Sequence, residues 1–340
     1  MKLGCLWFWL AILEPSVKAH EVKRVRGKRK YANQDQNRVG ESDTDLHLEA
    51  SPEAHSSFQQ TRLVIEGVSL VKARCQDCHD DLEAEQEYIL QSLYDAFGEP
   101  HVILIYRNTY LINVQFVHIT SPLSIKTIVQ IVSNIPGVRN VSMSRDLEIE
   151  QQPVNPPRGP TIFDVAADYV DAKVARQEYC VSGKGILVAV IDTGIDYTHI
   201  LLGGNGTTEG YAAAYGVNAS SVENTHRDGL FPTAKVVGGY DFVGDRSTIL
   251  DIKTDEDPID YPGGHGTRVA SCLLAVAPDV ELLAVKVCSI AACPEYSVLA
   301  GISFAVQRGA QVINCTNIFD GNVLSLEWWS VFLFPLTYFV

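Results

Sequence analysis

Residues 186–196 read Ile-Leu-Val-Ala-Val-Ile-Asp-Thr-Gly-Ile-Asp, and this stretch decides the fold. Positions 186–191 form a short, unbroken apolar run rich in β-branched residues, bounded by Gly185 and Gly194. A strand with one wet face alternates polar and apolar residues, whereas an unbroken run predicts a parallel strand covered on both faces. Residues 280–287 and 310–314 have the same character, and helical patterns occupy 267–277 and 297–308. Strands alternating with helices predict an α/β layered sheet with right-handed crossovers. In open α/β sheets the carboxyl ends of the strands carry the site, which singles out Asp192, the first residue after the run. Taken alone, it reads equally as an Asp capping a turn.

A second chemical group opens a later helical pattern, in Gly263-Gly264-His265-Gly266-Thr267. The glycines let backbone approach closely and leave the imidazole uncrowded. A lone His reads as structural or merely exposed. An Asp at a strand end and a His opening a helix, however, can meet across the top of the sheet, where the carboxylate fixes the imidazole tautomer and stabilises its protonated form.

The rest of the chain frames this pair. Its 340 residues carry 27 Lys and Arg against 41 Asp and Glu, a net charge of −14, with 46% apolar residues. That composition excludes a wholly disordered chain and argues against a nucleic-acid partner, which needs a basic face. The length suggests about two domains. Lys2, the apolar residues 3–13 and the small residues ending at Ala19 read as a signal peptide over 1–19, too short to span a bilayer, which needs ~20 residues. The chain is therefore expected to be secreted and extracellular, without a membrane span, and its cysteines to sit in an oxidising space. Residues 20–60 are a basic, solvated leader, with a dibasic processing site as the sharper reading of 23–30. Residues 61–150 follow the order β-α-β-β-α-β, a ferredoxin-like α+β unit. Its second helix is expected to open with Ser121 as N-cap and Pro122 at the first position. Residues 151–160, with four prolines, are a linker.

With these residues in view, the chain resembles the subtilisin-like serine proteases, or subtilases. Residues 190–199 (VIDTGIDYTH) resemble the family's Asp motif and 264–270 (GHGTRVA) its His motif. Residues 238–245 resemble a segment of large secreted members, 276–287 and 312–314 continue in register, and 61–150 resemble the inhibitory propeptide. The resemblance covers about 61–316. It implies a partial subtilisin-like, parallel-sheet, three-layer domain over 161–316, preceded by a ferredoxin-like propeptide that acts as intramolecular inhibitor. It implies polypeptide substrates, with Asp192 orienting His265 as general base and then acid. Arg268 and Ser271 stand where relatives often carry His and Gly.

The family's third catalytic residue is a Ser in a Gly-Thr-Ser-x-x-Pro type motif. Neither Ser325 nor Ser330 has such neighbours, and Asn322 fits no oxyanion-hole motif. From Asn317 the family pattern stops, and 317–340 form an apolar, non-family tail. The reading is a C-terminally truncated precursor, inactive because no acyl-enzyme forms without a nucleophile. It is also expected to fold poorly, with an exposed sheet edge.

Smaller features complete the reading. Cys288 and Cys293 are expected to close a local disulfide; Cys75 and Cys78 read as a strained disulfide or free thiols, and one further thiol is expected to be unpaired once Cys5 leaves with the signal. Of the sequons at Asn140, Asn205, Asn218 and Asn314, Asn205 and Asn218 are the glycosylation candidates, and Asn314 reads as inaccessible. Asp251, Asp255, Glu256, Asp257 and Asp260 read as a solvated acidic loop, with calcium binding as the alternative. By resemblance, the family's best-known calcium ligand is replaced here by Leu201, and no cofactor is expected. The competing function is a non-catalytic inhibitor or folding aid acting through 61–150. An aspartic protease needs a second Asp-Thr-Gly-type carboxylate, and a dinucleotide site needs GxGxxG after the first strand; neither is found.

Overall fold

The computed structural model describes residues 58–69, 79–147, 167–216, 230–244, 252, 254–262, 264–290, 292–315 and the backbone of Tyr338 and Phe339. The signal peptide, nearly all of the leader, the linker, the Cys75/Cys78 pair, Asn218, Asp251 and most of the tail lie outside the described residues.

The first unit runs β1 (Gln59–Gly67), α1 (His79–Phe97), β2 (Val102–Asn108), β3 (Val114–Ser121), α2 (Ile125–Ser133) and β4 (Val138–Met143). Its strands form one antiparallel sheet in the order β2-β3-β1-β4. Alternation sorts its side chains. Leu63, Ile65, Val117 and Ile119 bury against Ile89 and Leu93 of α1 and Ile128 and Val132 of α2, while Val64, Val114 and Phe116 point to the opposite face. The second helix opens later than the sequence predicts. Ser121 is still paired with Gln59, and this holds it extended. Its hydroxyl accepts the Leu123 N–H, and Ser124 takes over the cap by accepting the Thr127 N–H at 3.2 Å.

The second unit contains α3 (Ala172–Tyr179), β6 (Leu187–Asp192), α4 (Thr208–Tyr215), β7 (Val236–Asp241), α5 (His265–Val276), β8 (Glu281–Lys286), α6 (Glu295–Gln307), β10 (Val312–Asn314) and β11 (Tyr338–Phe339). Its sheet is wholly parallel, in the order β11-β10-β6-β8-β7. Val188 and Val190 pack under α5, whereas Ala189 and Ile191 pack on Leu299 and Ile302 of α6. The unbroken apolar run of β6 is thus explained, since both faces are dry. The edge beyond β10, expected to be bare, carries β11, paired in parallel with Val312 and Ile313.

Helix α6 is the layer the two sheets share. One side meets β6 and β8; the other meets Val64, Val114 and Phe116 of the first sheet. Such a helix must be apolar nearly all round, and its residues from Glu295 to Ser303 are buried. Polar contacts also cross this contact layer. The Asn108 amide donates to Ser303 Oγ at 2.6 Å. The short strand β5 (Asp146–Leu147) pairs antiparallel with β9 (Cys293–Pro294). The pairing continues one residue further: the Glu295 N–H donates to Arg145 O, and Glu295 Oε2 accepts the Arg145 N–H at 3.3 Å.

Burial pushes the Glu295 carboxyl from an ordinary 4.5 up to about 7. A raised carboxyl favours the buried, protonated state. Its contribution to the contact is therefore complete below its ordinary value and is lost as pH rises through about 7. Melting temperature should fall more steeply between about pH 5.5 and about pH 8 for the native chain than for Glu295→Gln, which keeps shape and acceptor but does not titrate. Equal slopes in scanning calorimetry would show that Glu295 does not govern this contact.

Candidate functional site

Strand β6 delivers Asp192 to the carboxyl end of the sheet, where it is 3% exposed. Its main-chain oxygen is held by the N–H groups of Val287 and Cys288 at 2.8 and 3.2 Å. Its Oδ1 accepts the Thr193 N–H at 2.7 Å. Helix α5 begins at His265 and rests directly on this strand end: a Cβ at Gly266 would lie 2.2 Å from Gly194 O and 3.0 Å from the Asp192 Cβ, so only glycine permits the approach. Two hydroxyls cross the gap. Thr193 Oγ1 accepts the Gly266 N–H, and Thr267 Oγ1 accepts the Asp196 N–H, each at 2.9 Å.

The structure therefore brings the two singled-out residues together across 73 positions of sequence. His265 Nδ1 lies 2.8 Å from Asp192 Oδ2 and 3.0 Å from Oδ1. The Asp192 carboxylate raises the affinity of the imidazole for its proton, against the pull of burial and of the Arg268 charge. Arg268 faces the site only electrostatically, while Ser271 is buried and donates to Thr267 O within the helix.

Behind the pair lies a charge cluster that the sequence reading missed. Lys286 ends β8, in register with Asp192 on one side and Asp241 on the other. It is 0% exposed, pairs with Asp241 at 3.1 Å and donates to Ile259 O at 3.1 Å. Desolvation raises the Asp241 carboxyl, and the Lys286 charge and the N–H groups of Val243 and Gly244 oppose that rise. The segment Asp255–Asp260, expected to be solvated, is largely buried. Asp255 bridges β7 at Asp241, Pro258 O accepts the Ile195 N–H, and Asp257 accepts the Tyr197 hydroxyl at 2.8 Å. Asp257 and Asp260 are 4% and 1% exposed, and burial pushes each up to about 7. One signal in the sequence points to this cluster: a Lys inside an apolar strand buried on both faces demands a buried anion. Among the described residues no group of His, Cys, Asp and Glu is arranged to hold a metal ion.

Cys288 and Cys293 form a disulfide that closes the loop after β8. Three described thiols stay free instead of one, Cys180, Cys272 and Cys315. Cys315 is sealed at the end of β10, where burial and the Asp192 charge push its thiol far up, so it is no thiolate nucleophile for His265. Asn205 is exposed and accepts the N–H and hydroxyl of Thr207; Asn314 is buried.

Residues 183–316 match the subtilase family, peptidase S8. The chain is 30% identical over 219 residues to the minor extracellular protease Vpr of Bacillus subtilis, covering 61% of this chain and 22% of that protein. It is 34% identical over 152 residues to subtilisin DY of Bacillus licheniformis, covering 42% of this chain and 39% of that protein. A Staphylococcus aureus epidermin leader peptide processing serine protease superposes with a TM-score of 0.45 at 16% identity, over 75% of this chain and 49% of that one. The chain thus spans well under half the length of these curated relatives.

Replacing Lys286 by Met strands Asp241 as a buried charge and should cost about 3–5 kcal/mol. The double variant Asp241→Leu with Lys286→Met should recover most of that loss. Urea unfolding midpoints check both, and a neutral Lys286→Met would refute the account of the cluster.

Proposed function

We propose that this chain, which carries a subtilase-family segment over residues 183–316, supplies the acid and the base of a serine endopeptidase triad in a secreted precursor. The observation that carries this is the 2.8 Å contact between His265 Nδ1 and Asp192 Oδ2 at the carboxyl end of a parallel sheet. Asp192 fixes the imidazole so that the other ring nitrogen, Nε2, faces the chemistry. Nε2 takes the proton of an attacking Ser hydroxyl, Asp192 stabilises the imidazolium that forms, and the same proton then passes to the leaving amine. The substrates are polypeptides. Within these 340 residues no Ser has the family's motif around it, so a polypeptide limited to them has no acyl-enzyme route and no peptidase activity of its own.

The first unit, with its β-α-β-β-α-β order, is the ferredoxin-like inhibitory propeptide in this reading. What supports it is the seating of its sheet on α6 and the pairing of β5 with β9. The same contact favours the second reading, in which the unit serves an intact protease as inhibitor or folding aid. Exposed Asn205 remains the glycan acceptor of choice in the secretory pathway.

Two measurements test the proposal. A serine-directed fluorophosphonate should leave the 340-residue chain unlabelled, and a peptide library should stay uncut; labelling and inhibitor-sensitive cleavage would overturn the inactivity. The imidazole of His265 should titrate above 6.5 and drop in Asp192→Asn. A midpoint that ignores that substitution removes the acid–base pair and the peptidase reading with it.

A further inference from the structure

Helix α5 starts without a cap of its own, because Gly264 offers no side chain. Its free N–H groups are taken by residues from outside the helix. That of Gly266 goes to Thr193, and that of Thr267 goes to Oδ2 of Asp260 at 3.0 Å, which also accepts the Thr267 hydroxyl at 2.6 Å. Asp260 is 1% exposed, and its second oxygen, Oδ1, has no hydrogen-bond partner among the described residues. That oxygen is pressed against the backbone just before His265: a Cβ at Gly264 would lie 1.7 Å from it. A cap needs one acceptor oxygen, and a Ser or Asn would provide it. A fully buried carboxyl with one bare oxygen, beside the residue preceding the base, does more than cap.

We propose that Asp260 is a positioning residue for His265: it fastens the first turn of α5 through Thr267 and lends the imidazolium a second negative charge beside that of Asp192. The inference rests on the acid–base reading of Asp192 and His265. The charged groups around the imidazole are Asp192 at the end of β6, Asp260 in the preceding loop and Arg268 on α5 itself, the first two raising its proton affinity and the third lowering it. Asp257 and Lys286 lie behind, Asp257 bonded to Tyr197 and Lys286 paired with Asp241. Asp260 titrates at about 7 under burial, with the Thr267 and Thr193 hydroxyls opposing the rise and the Asp192 charge adding to it. The charge on Asp260 thus acts directly on the proton of His265. Each proton bound by Asp260 weakens the hold of His265 on its own, so the pair titrates as a coupled, broadened system.

Histidine ring signals of the full chain, followed by NMR from about pH 5 to about pH 9, test this in native, Asp192→Asn and Asp260→Asn proteins. The Asp260→Asn substitution keeps an acceptor for the Thr267 N–H, removes the charge and puts an amide NH2 in place of the bare oxygen. Asp192→Asn should lower the proton affinity of His265 by about tenfold, and Asp260→Asn by about threefold, with a sharper, single-step curve. If Asp192→Asn shifts His265 and Asp260→Asn changes neither midpoint nor width, Asp260 is a cap alone and the inference falls while the dyad stands. If Asp192→Asn itself leaves His265 unmoved, it is the dyad that fails. Should Asp260→Asn not fold, carbon-13 labelling of aspartate in the native chain decides. A carboxyl signal of Asp260 that inflects in step with His265 supports the coupling, and one that stays flat over the same range overturns it.

Discussion

A buried lysine organises the working end of this molecule. Lys286 closes β8 at full burial, pairs with Asp241 at the end of β7 and reaches over to Ile259 O. An ion pair of this kind adds little net stability compared with apolar residues of the same size, but removing one partner is expensive. Its value is in specification. The cation is satisfied here by a second strand end and one loop. That loop continues into Asp260 and the Gly264–His265 turn, so the sheet's register and the start of α5 are set together. The same logic extends to the hydroxyls of Thr193 and Thr267, which bind the Asp192 turn and the His265 turn reciprocally. Asp192 and His265 are held by a lattice of short polar bonds around a dry sheet end as well as by their own 2.8 Å contact.

The second constraint is α6. Because it lies between two sheets, its core is common to both units: Phe116 and Val64 from one and Ile191 and Val285 from the other belong to a single apolar cluster with Leu299 and Ile302. Separating the units would wet one face of that cluster at roughly 25 cal/mol per Å² of apolar surface, together with the Asn108–Ser303 bond and the β5–β9 ladder. The polar groups at this contact make it directional. Glu295 stands at the first turn of α6, where a negative charge is favoured by the helix dipole, yet it is buried by the incoming strand. Burial raises its proton affinity, the Arg145 N–H bond and the Arg145 charge oppose that rise, and burial prevails.

How far the sequence foretold this follows from what pattern can encode. The buried strands were legible because a run such as Val188–Ile191 has one physical explanation, and the Asp192–His265 pair because two rare local contexts fall at strand and helix ends. The start of α2 was misplaced because a strand ladder, invisible locally, keeps Ser121 extended. The acidic segment was misread for a related reason. Charge density along the chain says nothing about which carboxyls meet Lys286, Tyr197 or Thr267, each of which lies on another element. Asp260 carries no motif; it is identified only by its burial and by the uncapped helix it serves.

Long-range polar closure also bears on what the site needs in order to exist. Among the described residues, the groups seen to hold Asp192 and the first turn of α5 include the Thr193 hydroxyl, the Val287 and Cys288 N–H groups, Thr267 and Asp260, all between Asp192 and Cys288. None of these groups is the residue that the imidazole would activate on the proposed reading. In the proposed role, a pair preorganised in this way has dipoles already aimed at the imidazole before charge develops on it. On the proposed reading the nucleophile is the separable component of the chemistry, and the Asp192–His265 geometry is set at the sheet end.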